Sequence, residues 1–375
     1  RRKPRMAMGA TDANGTAPAT HIFYQGDFGS PREEVTPGFF SIFTPGSAAI
    51  ESPTDRTTGR RLALANWIAS PDNPWTARVL VNRIWQQHFG QGLVATPNDF
   101  GFSGARPTHP ELLDWLAIEF TKSNWSIKTL HRMIVLSGTY RQSSAAPANQ
   151  TTISVDPDNQ LLWRQNVRRL DAETLRDNLL AVSGLLKPFQ EGKPVWPPVP
   201  DELLKAQPAI LEAEKGGDGG RMQGWYADPI EQTDVRSIFL IRKRCLPVPF
   251  LQAFDLPDTT ISCARRDTTV VAPQALMFLN SPEALRYAEA LADRVSPPNE
   301  KLSLADTTRA HAVIQSLFRQ ALGRLADEQE MKLATDLLVR HADKHRQAEP
   351  DQAEHQALVD LCRAILNLNE FVYLD

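Results

Sequence analysis

Asp99, His109 and Asp114 put two carboxylates and an imidazole into one short stretch of this chain. An imidazole titrates near neutral pH, so with either carboxylate it could supply a general acid and a general base. Around this set lie Arg78, Asn82, Arg83, Arg141 and Gln142, followed later by Arg169 and Arg176. A guanidinium presents planar donors that match a carboxylate, sulfate or phosphate. Arg164, Arg168, Arg236, Arg242 and Arg244 could join the last two in an anion-binding surface. The opposing reading makes these groups buried ties, with Arg and Asp satisfying each other and the loop carbonyls. Large helical domains with long ordered loops need many such ties.

Other chemistries find less support. Asp99, His109, Asp114 and His131 match no metal-ligand spacing and nothing here is HExxH-like, so no metal site is expected. Cys245, Cys263 and Cys362 form neither CxxC nor CxxCH, which excludes a c-type haem attachment and a cysteine-rich zinc site. Cys245 and Cys263 could pair in an oxidising compartment, although buried free thiols are the favoured expectation. Cys263 has no fixed histidine partner for nucleophilic work. His88 extends an apolar stripe and reads as a core histidine. Trp67, Trp75, Trp85, Trp115 and Trp125 read as core residues, and a sugar-stacking role would need several of them exposed.

The elements that must position these groups are helical. Arg60 to Ala69 forms a first helix, and Pro74 to His88 a second that ends at Gly90, with Val81, Ile84 and Trp85 as its apolar stripe. Residues 90–107 form a long structured loop anchored by Leu93, Val94, Phe100 and Phe102. Thr108 and Glu111 fit a capping box for the next helix, whose stripe is Leu112, Trp115, Leu116 and Phe120. A helix from Ser126 places Ile127, Leu130 and Ile134 on one face. Residues 145–160 read as a loop, and 160–186 as a further helical unit with Asp171 as its cap. RSIFLIRKR reads equally as a strand or a short helix. From Ser281 the chain is helical, with caps at Ser281, Asp306 and Asp327.

The expected architecture is therefore mostly α: a multi-helix protein with a small extended or β N-terminal segment and long ordered loops. Four parts follow from the composition: an extended segment and linker (1–59), a central helical subdomain (60–186), an irregular Pro/Gly-rich arm (187–270) and a C-terminal helical subdomain (271–375). At 42% hydrophobic and 23% charged residues a sizeable core is possible and global disorder is not expected. A net charge of -3 argues against nonspecific nucleic-acid binding. No apolar run is long enough to span a membrane. The opening RRKPRMAMGA has twin arginines without an apolar region behind them, so it is not a secretory signal as it stands.

Several long segments resemble, in the same order, the first planctomycete-specific domain family, a domain of unknown function. They are RVLVNRIWQQHFGQGLVATPNDFG, HPELLDWLAIEF, SGTYRQSS, RRLDAETLRDNLLAVSG, the FLIRKR and FDLPD runs, PQALMFLN, and LFRQALGRLADEQE through ILNLNEFVYLD. The resemblance implies an exported bacterial protein, periplasmic or in the cell envelope, with a haem-bearing cytochrome-like domain upstream and no cofactor in this chain. It implies no reaction. Three readings follow. The first is a non-catalytic binding or scaffold module, taking a partner domain or an anionic glycan through its arginines. The second is a hydrolase or lyase acting on an acidic polysaccharide at Asp99, His109 and Asp114. The third is an electron-transfer accessory domain.

Overall fold

The computed structural model describes residues 9–43, 50, 53–145, 150–188, 194–207, 224–297 and 302–374. The segment and linker expected at 1–59 and the arm expected at 187–270 fall partly outside them. The protein is mostly α-helical, and its chain divides into two compact units, 1–165 and 166–375.

The first unit opens with a hairpin. Strand β1 (Thr20–Phe23) pairs antiparallel with β2 (Pro31–Val35), in a register that joins Thr20 to Val35 and His21 to Glu34. Helix α1 (Arg60–Ala69) follows and buries none of its residues fully. In α2 (Pro74–Phe89) the Asn73 side chain accepts from the N–H groups of Trp75 and Thr76, and Gly90 stops the helix at φ 81°. Positive φ costs glycine little, which is why it ends helices this way. Helices α3 (Pro110–Lys122) and α4 (Ile127–Val135) complete the core with α2. Its centre is Val81, Trp85, Phe89, Leu93, Phe120, Leu130 and Ile134.

Several local expectations change. His109, not Thr108, is the N-cap residue of α3 and makes no capping bond, while Thr108 donates to the Leu93 carbonyl through both its N–H and its hydroxyl. The buried face of α3 is Leu113, Leu116, Ala117 and Phe120, which leaves Trp115 52% exposed. A shift of one position turns a helical face by about 100°, enough to move the tryptophan out of the core. Ile127 is likewise exposed, and so is Phe102, so the 90–107 loop is held by Leu93, Val94 and the half-buried Phe100. The expected loop at 145–160 contains a short helix, α5 (Gln150–Val155).

In the second unit β3 (Arg168–Arg169) pairs antiparallel with β4 (Tyr373–Leu374), so the end of the chain returns to the start of the unit. Helix α6 (Ala172–Val182) begins after Asp171, and α7 (Asp201–Lys205) and α8 (Pro249–Ala253) are short. RSIFLIRKR resolves into a 3-10 turn at Ser237–Phe239 followed by a parallel bridge of Leu240 to Val195. Then come α9 (Ala272–Asn280), α10 (Pro282–Val295), α11 (Thr307–Leu322), α12 (Glu328–His345), α13 (Ala353–Leu366) and α14 (Asn369–Val372). Ser281, Asp306 and Asp327 cap α10, α11 and α12 as their spacing predicts, the last within a capping box with Glu330. Helix α13 packs along α12 and α10. Leu175 and Leu179 of α6, grouped above with residues 60–186, lie in one core with Phe250, Leu291, Ile314, Leu338 and Leu358.

Candidate functional site

The polar set of the first unit is joined mostly in pairs. Arg78 donates from Nε to Asp114 Oδ1 (2.7 Å) and from a terminal nitrogen to the Pro74 carbonyl (2.7 Å). Asn82, fully buried, binds both backbone groups of Val94. Arg83 donates to Asn98 Oδ1 (3.2 Å), Arg141 to the Ser137 carbonyl (3.4 Å) and Gln142 to the Leu162 carbonyl (3.1 Å). Asp99 is exposed and accepts the Gly101 N–H at 2.8 Å. His109 Nδ1 lies 3.0 Å from Thr108 Oγ1. Asp114 is thus brought to Arg78, while the hydrogen bonds of Asp99 and His109 go to their own neighbours in sequence.

Beside α2 lies a groove of about 480 Å³ whose lining includes Phe40, Phe43, Trp67, Ile68, Trp75, Leu80 and Arg83. Phe39 stacks on Trp67 with 4.9 Å between ring centroids, and Phe43 meets Trp75 edge-on. His88, expected in the core, is half-buried, with Nε2 2.7 Å from His131 Nδ1.

The arginines of the second unit are bound more tightly. Arg169 donates to the Thr269 carbonyl (2.7 Å), the Phe254 carbonyl (3.1 Å) and Asp255 Oδ2 (2.6 Å). Burial alone would raise the Asp255 carboxyl, but the Thr269 N–H and Arg169 outweigh it and hold it below its usual value. The buried Arg176 donates to the carbonyls of Thr233 (2.7 Å) and Val235 (2.9 Å) and to Ser237 Oγ (3.3 Å). Arg286 forms a two-pronged pair with Asp234. Glu283 is pushed up by burial, against the pull of Arg176 and Arg286. Arg266 grips Glu173 with two nitrogens, Arg236 reaches Asp177 (3.3 Å) and Arg242 holds the Pro257 carbonyl (2.8 Å).

One constellation was missed from sequence. His341 Nδ1 lies 2.7 Å and His345 Nε2 2.8 Å from the same oxygen, Oδ2 of Asp360. The two histidines are one turn apart on α12, and Asp360 faces them from α13. Burial would raise the Asp360 carboxyl, but the bonds to His341 and His345 prevail and lower it. The readable signal was the H-x-x-x-H spacing on a helix face; no local pattern announces the aspartate. These three are the group with metal-ligating geometry among the described residues.

Cys245 and Cys263, expected to be buried thiols or a disulfide, are exposed and free, and Cys362 is buried in the core. Among the described residues no helix is long and apolar enough to cross a membrane. No curated protein and no solved structure matches the chain. Residues 60–338 match the model of PSD1, described as a protein of unknown function (DUF1553). Most of the chain lies within that match, and the chain belongs to this family of uncharacterised proteins.

Proposed function

We propose that the chain is a non-catalytic binding module of a larger exported, cytochrome-linked protein, and that its first unit docks an apolar segment of the cytochrome-like domain. The observation that supports this reading is the groove of Phe40, Phe43, Trp67, Ile68, Trp75 and Leu80. Its walls are almost all carbon. An acidic glycan laid there would leave hydroxyls without partners, at a cost of about 1–3 kcal/mol for each buried group. An aliphatic or aromatic side chain would instead gain roughly 25 cal/mol per Å² of apolar surface removed from water. Arg78, Arg169 and Arg176 already bind carboxylates and carbonyls, which weakens the case for an anion-binding surface built from them. Arg83, an exposed residue of the groove's lining, could meet an acidic residue flanking the docked segment.

A hydrolase would need His109 beside Asp99 or Asp114. His109 instead shares a hydrogen bond with Thr108, and Asp114 is paired with Arg78. The test is calorimetric titration of the chain with the cytochrome-like domain supplied separately, and with heparin. Ile68, 44% exposed on α1, is the residue to change. Ile68→Asp should weaken binding of the domain at least tenfold while heparin gives no heat. Undiminished binding by Ile68→Asp would overturn the docking reading. Heparin binding that is lost in Arg141→Ala would return the arginine surface, and glycan cleavage lost in His109→Ala would return the enzyme.

A further inference from the structure

We propose that His341, His345 and Asp360 bind one divalent transition-metal ion, with zinc as the test case, and that the ion joins α12 to α13. The site lies outside the docking groove and does not depend on that reading. It also lies beyond residue 338, where the family match ends.

The donor set carries the argument. Two imidazoles and one carboxylate suit zinc and its neighbours in the transition series, whereas magnesium and calcium take oxygen ligands. Each residue offers one atom, and the three atoms all lie within 4.8 Å of one another. A tetrahedral zinc ion with bonds of roughly 2.0–2.2 Å sets its donors about 3.3 Å apart. The contacts of 2.7 and 2.8 Å to Asp360 Oδ2 need to open by about half an ångström to reach that spacing.

The surroundings favour a cation at this point. His345 is the last residue of α12, where the helix dipole presents its negative end. Arg363 lies 3.6 Å from the other carboxylate oxygen of Asp360, Oδ1, which leaves Oδ2 to face the ion. Arg363 also repels a second positive charge, so binding should be weaker than at a closed four-ligand site. All three side chains are part-exposed, so an ion can enter without opening the core. Three protein ligands leave one position for water or for a donor from another molecule.

The competing explanation is a plain hydrogen-bonded tie, in which both imidazoles donate to Asp360. Zinc separates the two. The full chain, stripped with chelator, is titrated calorimetrically at neutral pH with Zn²⁺ and then with Mg²⁺. One equivalent of zinc should bind and raise Tm, magnesium should not bind, and Co²⁺ should show the visible bands of a bound ion. His345→Gln and Asp360→Asn should each weaken zinc by more than the roughly 10–100-fold typical of losing an outer partner. His88→Gln should bind as the unaltered chain does, which excludes the His88–His131 pair as the site. A measurement without variants guards against misfolding: zinc should protect His341 and His345 from diethyl pyrocarbonate, read by peptide mass spectrometry. No zinc uptake, unweakened binding in the two variants, loss of binding in His88→Gln, or no protection would each overturn the proposal.

Discussion

Asn82 and Val94 form a closed pair, in which Asn82 Nδ2 donates to the Val94 carbonyl (3.0 Å) and Oδ1 accepts the Val94 N–H (2.8 Å). A side-chain amide here does what a neighbouring strand would do for a loop. It satisfies both polar groups of a buried backbone unit, which would otherwise go unpaired away from water. The helix thereby sets the course of the 90–107 loop, and Thr108 finishes it by donating to the Leu93 carbonyl.

Asn82→Leu keeps much of the volume and strands both Val94 groups. We expect a loss of about 2–6 kcal/mol, one buried donor and one acceptor at about 1–3 each, read as a lower urea midpoint with unchanged slope. Gly92→Ala should also destabilise, since a Cβ there would sit 2.6 Å from Asn82 Nδ2. The two losses should not add, because both act on the same clip. Additive losses would show that Gly92 and Asn82 act independently.

Helix positions were largely legible in the sequence, because caps and periodicity are local signals. Ser281, Asp306 and Asp327 each sit next to the turn they satisfy. Long-range pairs carry no such signal. Asp114 meets Arg78, Asp255 meets Arg169 and Asp360 meets two histidines only once separate elements pack together. The exposure of Trp115 was hidden for a related reason. Periodicity gives the angular spacing of a stripe, but the neighbours decide where it faces, and α2 and α4 cover the Leu113–Leu116–Phe120 side.

Arg176 is a second buried tie, and its shape matters more than its charge. Its two terminal nitrogens reach the Thr233 and Val235 carbonyls at once. A lysine ammonium is a point charge on a flexible stem and cannot reproduce that fork. Arg176→Lys should therefore lose about 1–3 kcal/mol, the cost of leaving a buried acceptor unpaired, and 224–240 should become more accessible to hydrogen exchange. Exchange there at the unaltered rate would mean that the segment is held by its other contacts.

Glu283 should make stability fall with rising pH. Its carboxyl is raised in the fold by burial, despite the opposing charges of Arg176 and Arg286. A carboxyl raised on folding binds its proton more readily in the native state. Its contribution is therefore full below the unfolded value near 4.5 and is lost as pH climbs through the higher folded value. Glu283→Gln removes that titration. The variant should melt above the unaltered protein at neutral pH, and the gap should close below the unfolded value. A variant that melts lower at neutral pH would show that the attraction of the two arginines exceeds the cost of burying the charge.

The three thiols should separate by reactivity. Cys245 and Cys263 are exposed and free, whereas Cys362 is buried and burial pushes its thiol up. Only the thiolate is nucleophilic, so Cys362 lacks both access and the reactive form. The folded chain should take up maleimide at Cys245 and Cys263, and at Cys362 only in denaturant, as counted by intact mass. The starting mass decides the older question of pairing. A chain two hydrogens light, unreactive until reduced, would mean that Cys245 and Cys263 had come together as a disulfide, and their loops would then have to differ from those described. Uptake at Cys362 in the folded state would instead mean that α13 opens locally from its core, since nothing else gives reagent a route to that sulfur.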